Sequence, residues 1–194
     1  MVHDGDPAGK VELSGRVARI TGQGAGNRRI MIFANEPFDL QDRVNAGPED
    51  EAARRMAEAD RLLRASGGEA TVLVHRGHSY HVDKTVDHVT RSTGLVFLGS
   101  CRGLGKVISV LEVANGAHVF ATRGIGTQSV NDRLLKSLND ELLQGGSTLD
   151  WAEFWRKQEV RLGRQAHFRD YLPPHRNPAS ILLRAYYRLL AETP

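Results

Sequence analysis

Residues 71–79 read Thr-Val-Leu-Val-His-Arg-Gly-His-Ser, and residues 95–103 read Leu-Val-Phe-Leu-Gly-Ser-Cys-Arg-Gly. Each segment begins with a short apolar run and continues into glycine and polar residues, which is typical of a buried parallel strand followed by a loop. Open α/β sheets carry their ligands and chemistry at the carboxyl ends of such strands. We therefore expect an imidazole and the thiol of Cys101 at one edge of a sheet.

The pattern around these two segments predicts an α/β fold with a mostly parallel sheet flanked by helices. The predicted strands cover 71–74, 95–98 and 117–121, and the predicted helices cover 82–91, 103–115 and 130–143. Upstream, residues 11–21 and 29–35 predict a strand pair, and residues 49–66 predict a helix that ends at Gly67-Gly68. Downstream of residue 149 we expect helices, the last of them over 178–190.

These patterns divide the chain into three parts. We expect a flexible N-terminus over residues 1–10, an α/β domain over 11–148 and a helical C-terminal extension over 149–194. Residues 151–194 of the extension hold eight arginine or lysine residues against four carboxylates, whereas the net charge of the whole chain is only +3. Solvated helix faces have the same composition and no nucleic-acid-binding motif is present, so we do not expect nucleic acid as a partner.

The bulk composition indicates a soluble globular protein. Of 194 residues, 40% are hydrophobic and 25% are charged, and no segment approaches the roughly 18 apolar residues of a membrane span. The first residues lack the basic and apolar regions of a signal peptide. A single cysteine excludes an internal disulfide and fits a reducing compartment. We therefore expect a cytoplasmic protein.

Cys101 and His78 together suit nucleophilic catalysis. A cysteine reacts as the thiolate, and a turn that leads into a helix supplies backbone N–H groups which stabilise an anion. A histidine on the neighbouring strand end can transfer protons to and from the reacting groups. A lone cysteine at a strand end can equally be a small buried apolar residue of the core. The histidine partner is therefore what favours the catalytic interpretation.

Two other kinds of site deserve comparison with this one. His75, His78 and His81 recur every third residue and suggest a metal site, but no acidic or second cysteine ligand adjoins them. The glycine-rich loops at 99–105 and 123–126 suggest phosphate binding, but they match neither the P-loop nor the dinucleotide fingerprint. We therefore expect no metal and no cofactor.

The two segments resemble the caspase-like cysteine peptidases, the superfamily of caspases, gingipains, legumains, separases and bacterial CHAT proteases. Residues 72–79, with Gly77-His78, are similar to the block that carries the catalytic histidine of that superfamily. Residues 96–103, with Cys-Arg-Gly, are similar to its cysteine block. The resemblance covers residues 71–143 and implies a three-layer caspase-like fold. The sheet upstream of residue 71 is thinner than in the superfamily, as in a reduced version or the carboxyl-terminal part of a longer chain.

By position, the resemblance implies that Cys101 is the nucleophile and His78 the general acid and base. It also implies an oxyanion hole formed by the backbone N–H groups of Cys101 and Ser79, although the superfamily usually has glycine at the position of Ser79. Glu36 or Asp39 in the substrate pocket would favour a basic residue before the scissile bond, and Arg123 would favour an acidic one. The sequence leaves these pocket alternatives open.

The expected function is that of a cysteine endopeptidase that acts on peptide or protein substrates. One alternative is a catalytically inactive caspase-like domain that regulates or binds a protein partner through its C-terminal extension. A weaker alternative is a metal-dependent hydrolase that uses His75, His78 and His81.

Overall fold

A computed structural model describes residues 9–14, 17–23, 29–35, 48–144 and 148–192. Contacts divide the chain into two compact units. The smaller comprises residues 1–67 and 136–149, and the larger comprises residues 68–135 and 150–194. In the described part of the chain, no helix has both the length and the apolar character needed to cross a membrane.

The smaller unit contains an antiparallel sheet with the strand order β1-β2-β3 (β1 Gly9–Ser14, β2 Val17–Gln23, β3 Arg29–Asn35). The single strand predicted over residues 11–21 is therefore wrong, because β1 and β2 are separate strands that pair from Gly9↔Gly22 to Ser14↔Val17. Apolar and polar residues alternate in both strands, so the alternation does not reveal the reversal between them. Helix α1 (Pro48–Ala65) contacts β3 and ends before Gly67, whose φ is +82°.

The larger unit contains a mixed sheet with the order β4-β5-β6-β7. Strands β4 (Val72–His75), β5 (Leu95–Leu98) and β6 (His118–Thr122) are parallel, and β7 (Tyr171–Leu172) pairs antiparallel with β6. The mostly parallel sheet predicted from the sequence is confirmed. Strand β7 lies in the segment for which only helices were predicted.

Helices follow the strands closely. Three of them come after the parallel strands, and two lie near the C-terminus: α2 (Val82–Val86), α3 (Val107–Val113), α4 (Gln128–Gln144), α5 (Trp151–Leu162) and α6 (Pro178–Glu192). Helix α2 is shorter than the predicted 82–91. After Val86 the backbone N–H groups of His88 and Val89 bond to the carbonyls three residues back (3.1 and 2.9 Å). Thr90 N then donates to Thr93 Oγ1 (3.0 Å), which itself donates to Ala70 O (3.2 Å). Such local bonds of threonine compete with helix continuation.

Strands β5 and β6 are buried on both faces in the larger unit, whereas β4 exposes Val72 and Val74 on one face. One face packs on α2, α3 and α6 through an aliphatic cluster that includes Val96, Val110, Leu111 and Val119. On the opposite face the rings of Phe97 and Phe120 are 5.1 Å apart, and Trp155 from α5 meets Phe120 edge-on at 5.5 Å. Burial on both faces explains why β5 is an unbroken apolar run, and it leaves only the ends of β5 free for chemistry.

Candidate functional site

The pairing of β4 with β5 fixes where the two candidate catalytic residues leave the sheet. His75 is the register partner of Leu98, and Gly99 N donates a 2.8 Å hydrogen bond to His75 O. His78 and Cys101 each follow three residues after this last pair, at the carboxyl ends of adjacent parallel strands. Both are exposed, and Cys101 is a free cysteine. The sheet therefore delivers both residues to one edge, as the sequence predicted.

His75, the other histidine of the first segment, is buried and hydrogen-bonded through both ring nitrogens. Its Nε2 lies 3.0 Å from the carbonyl oxygen of His78, and its Nδ1 lies 2.9 Å from Thr85 Oγ1. Because a carbonyl only accepts, the proton belongs on Nε2, and Nδ1 accepts from the Thr85 hydroxyl. Burial lowers the pKa of His75, more than its hydrogen bond to the His78 backbone raises it. His75 is thus a neutral histidine that holds the His78 backbone and has no nitrogen free for a metal.

The ring of His78 is placed by aromatic neighbours. It stacks on Tyr80 with a centroid distance of 5.1 Å and an interplanar angle of 11°, and Tyr80 meets His81 edge-on at 4.2 Å. Ser79 begins a short 3-10 helix, Ser79–His81. Among the described residues, none accepts a hydrogen bond from the backbone N–H of Ser79 or of Cys101. Those two N–H groups are the predicted oxyanion donors.

The turn that carries Cys101 has an uncommon backbone. Arg102 adopts the left-handed conformation (φ 56°, ψ 30°), which costs an L-residue with a side chain about 1–2 kcal/mol. The Arg102 N–H donates to Gly124 O at 2.8 Å. Thr122 Oγ1 accepts from Gly103 N at 3.2 Å and donates to the carbonyl oxygen of Ser100. The Cys101 turn is therefore tied to the end of β6 on both sides of the thiol.

A buried polar network supports the same turn from α4 and β7. Asn131 Nδ2 donates to Gly99 O at 3.0 Å, and Tyr171 Oη donates to Asn131 Oδ1 at 2.8 Å. Thr127 N donates to the same Tyr171 oxygen at 2.9 Å. Burial raises the pKa of the Tyr171 hydroxyl above 10.0, and the charge of a Cys101 thiolate raises it further.

The loop after β6 approaches the Cys101 turn too closely for any side chain at Gly126. A Cβ atom built there would overlap the carbonyl oxygen of Gly99 and lie 2.9 Å from the carbonyl carbon of Ser100. Glycine is required at such a close approach of two backbones.

The predicted substrate-pocket residues divide between described and undescribed parts of the chain. Arg123 follows β6 at the same edge as Cys101 and is exposed. Its backbone N–H donates to Asp170 O at 2.8 Å, and its guanidinium donates to Arg169 O at 3.2 Å. Glu36 and Asp39 lie outside the described residues. Arg123 is therefore the pocket candidate that can be discussed on geometry.

A metal site would need several ligands close together. Within the described ranges, no group of three or more His, Cys, Asp or Glu residues is arranged to hold a metal ion.

No protein-family model, no curated protein and no solved structure matches the chain.

Proposed function

We propose that this protein is a cysteine peptidase of the caspase-like type, with Cys101 as nucleophile and His78 as general acid and base. The observation that carries the proposal is the position of these two exposed residues, each three residues beyond a paired position on adjacent parallel strands. A nucleophile and a proton-transfer group at one rim are what acyl transfer through a thiolate requires.

The reaction follows from the groups at this edge. The Cys101 thiolate attacks the peptide carbonyl carbon and forms a C–S bond, and the oxyanion accepts hydrogen bonds from the N–H groups of Ser79 and Cys101. The C–N bond then breaks, and His78 gives a proton to the departing amine. A water molecule attacks the thioester carbonyl while His78 takes its proton, so the acid is released and the thiolate is restored.

An acidic residue before the scissile bond fits the charge of Arg123. The Arg123 guanidinium is exposed, and among the described residues the hydrogen bond found for it goes to the backbone carbonyl of Arg169. A carboxylate is the group that an arginine fork binds best. We therefore assign the first pocket to Arg123.

The test uses peptidyl acyloxymethyl ketones that carry aspartate or lysine at the position before the reactive carbon. Mass spectrometry should show one adduct on the native protein, formed much faster than on the urea-denatured chain, because Cys101 is the single cysteine. Cys101→Ala should form no adduct. His78→Ala should lower the labelling rate by about 100-fold or more, the usual contribution of a proton-transfer group.

Iodoacetamide is the matched reagent, since it reports thiol exposure without needing substrate contacts. An adduct on Cys101→Ala, or native labelling no faster than that of the denatured chain together with no cleavage of a diverse peptide library, contradicts the peptidase and favours a non-catalytic binding domain. Faster labelling by the lysine probe contradicts the assignment of Arg123 and favours Glu36 or Asp39.

A further inference from the structure

Two adjacent residues of α4 reach the two candidate catalytic loops separately. Asn131 Nδ2 donates to Gly99 O at 3.0 Å, and Asp132 Oδ1 lies 2.7 Å from Arg76 Nη1. Gly99 precedes Cys101 by two residues, and Arg76 precedes His78 by two residues. The start of α4 is thus joined to both loops at equivalent positions.

The contact on the cysteine side is rigid. Asn131 is 1% exposed and Tyr171 is 2% exposed, and the Tyr171 hydroxyl fixes the Asn131 amide through its Oδ1 at 2.8 Å. Buried amides that hydrogen-bond through both the nitrogen and the oxygen keep one orientation. Gly99 and the residues that follow it are therefore held at a defined place relative to α4.

The contact on the histidine side is an ion pair near the surface. The side chains of Arg76 and Asp132 are 45% and 43% exposed, and pairs with this exposure contribute little to folding stability. The Asp132 Oδ1 atom that faces Arg76 is itself buried and has no hydrogen-bond partner among the described residues, so the contact is one of charge. Residues 76–80 are all exposed, so packing does little to hold the loop. The hydrogen bond from His75 Nε2 to His78 O at 3.0 Å fixes the end of this loop from inside the domain, and the ion pair fixes its beginning from α4.

We propose that the Arg76–Asp132 ion pair is a positioning device that sets the place of His78 relative to Cys101, with Asn131 as the fixed reference on the same helix turn. The catalytic consequence rests on the proposed function. Arg76 and Asp132 touch no reacting atom, so they are positioning residues. A misplacement of about 1 Å between reacting groups lowers a rate by about 100-fold. Loss of an ion pair near the surface changes the folding stability little, so the effect on the rate should far exceed the effect on stability.

The test compares this pair with the Arg176–Glu159 pair, which joins the short 3-10 helix Pro174–Arg176 to α5. That control has a similar distance of 2.6 Å and similar exposures of 51% and 41%, and it also forms a hydrogen bond from Arg176 Nη1 to Glu159 Oε1. The variants are Asp132→Asn, Asp132→Glu and the charge swap Arg76→Asp with Asp132→Arg, beside Glu159→Gln as control. The readout is the rate of labelling by the peptidyl ketone divided by the rate with iodoacetamide.

Asp132→Asn should lower this ratio by about 10- to 100-fold, and Asp132→Glu and the charge swap should recover most of it. Glu159→Gln should leave the ratio within 2-fold of wild type, while its melting temperature changes as little as that of Asp132→Asn. An unchanged ratio in Asp132→Asn, or a loss that neither Asp132→Glu nor the charge swap recovers, overturns the proposal.

A second measurement separates this proposal from the proposed function. In NMR spectra with labelled histidine, Asp132→Asn should shift the His78 ring resonances and the charge swap should restore them, whether or not the protein cleaves peptides. His78 resonances that stay unchanged in Asp132→Asn overturn the positioning role. If labelling by the ketone fails in wild type while the resonances shift and recover, the peptidase is wrong and the positioning of His78 stands.

Discussion

The replacement of Gly126 by alanine tests whether the close approach of the two loops controls the reactivity of Cys101. A Cβ atom at residue 126 would overlap the Gly99 carbonyl oxygen and would lie 2.8 Å from the Gly99 carbonyl carbon. Ordinary van der Waals contacts begin at 3.4 Å. Both groups are backbone, so neither can turn aside as a flexible side chain would, and the loops must separate.

The magnitude follows from that separation. Relief of the overlap requires a shift of about 1 Å, and a shift of this size at a reacting group lowers the rate by about 100-fold, or about 2.7 kcal/mol in the activation free energy. Overpacking of this kind also lowers the free energy of unfolding by about 1–3 kcal/mol. Labelling by the peptidyl ketone should therefore slow by about 100-fold at a temperature where urea titration shows the variant to be folded.

Gly105→Ala is the matched control. Gly105 belongs to the short 3-10 helix Gly103–Lys106 that follows Cys101, and a Cβ atom there would have no neighbour within 4 Å. It should label at the wild-type rate. If Gly126→Ala stays folded and labels as fast as Gly105→Ala, the spacing of the two loops does not govern Cys101, and the argument from backbone contact is refuted.

Three further changes test individual contacts. Thr85→Val removes the donor to the buried His75 Nδ1 and should lower the free energy of unfolding by about 1–3 kcal/mol in urea titration; no loss would show that this nitrogen is solvated. Arg102→Gly removes the side chain from a left-handed position and should raise the free energy of unfolding by up to about 1 kcal/mol, whereas a decrease would mean that the Arg102 side chain stabilises the turn. His118 Nδ1 accepts a hydrogen bond from Trp151 Nε1 at 3.0 Å. Burial, and to a smaller extent the charge of the Arg184 guanidinium, lower the pKa of His118 below 6.5. Because the unfolded chain binds the His118 proton more readily, the contribution of neutral His118 to the free energy of unfolding is complete above pH 6.5. It is lost as the pH falls below 6.5. His118→Asn should weaken that pH dependence, and an identical pH profile would contradict it.

The parallel strands could be predicted because their signal is local. Four consecutive apolar residues at 95–98 reflect burial on both faces, and the structure assigns β5 to those residues. The helix predicted over 49–66 was nearly right for the same reason, since its apolar spacing and the Gly67 stop are both written in the segment itself. From two adjacent parallel strands, the common edge for His78 and Cys101 follows directly.

Strand β7 could not be predicted in this way. It is two residues long, Tyr171–Leu172, and it exists because it pairs with Ala121 and Thr122, about 50 positions earlier in the chain. A two-residue segment has no periodicity, and the aromatic and proline residues around it suit a turn between helices equally well. Only the partner strand decides its conformation, which is a tertiary effect on local preference.

The residues of the candidate site also divide into those with a local sequence signal and those set by distant contacts. His78 and Cys101 carry a local signal, since each follows an apolar run, whereas Asn131 and Tyr171 lie 32 and 72 positions beyond Gly99. Asn131 is nonetheless a polar residue buried beside Val130 and Leu134 at the start of α4, and a buried amide requires partners. The position of Asn131 on the apolar side of the predicted helix was the one sign in the sequence that a side chain of this helix hydrogen-bonds to another part of the domain. That partner is the carbonyl oxygen of Gly99, two residues before Cys101. The Asn131 amide therefore helps to position Cys101 as well as to pack α4.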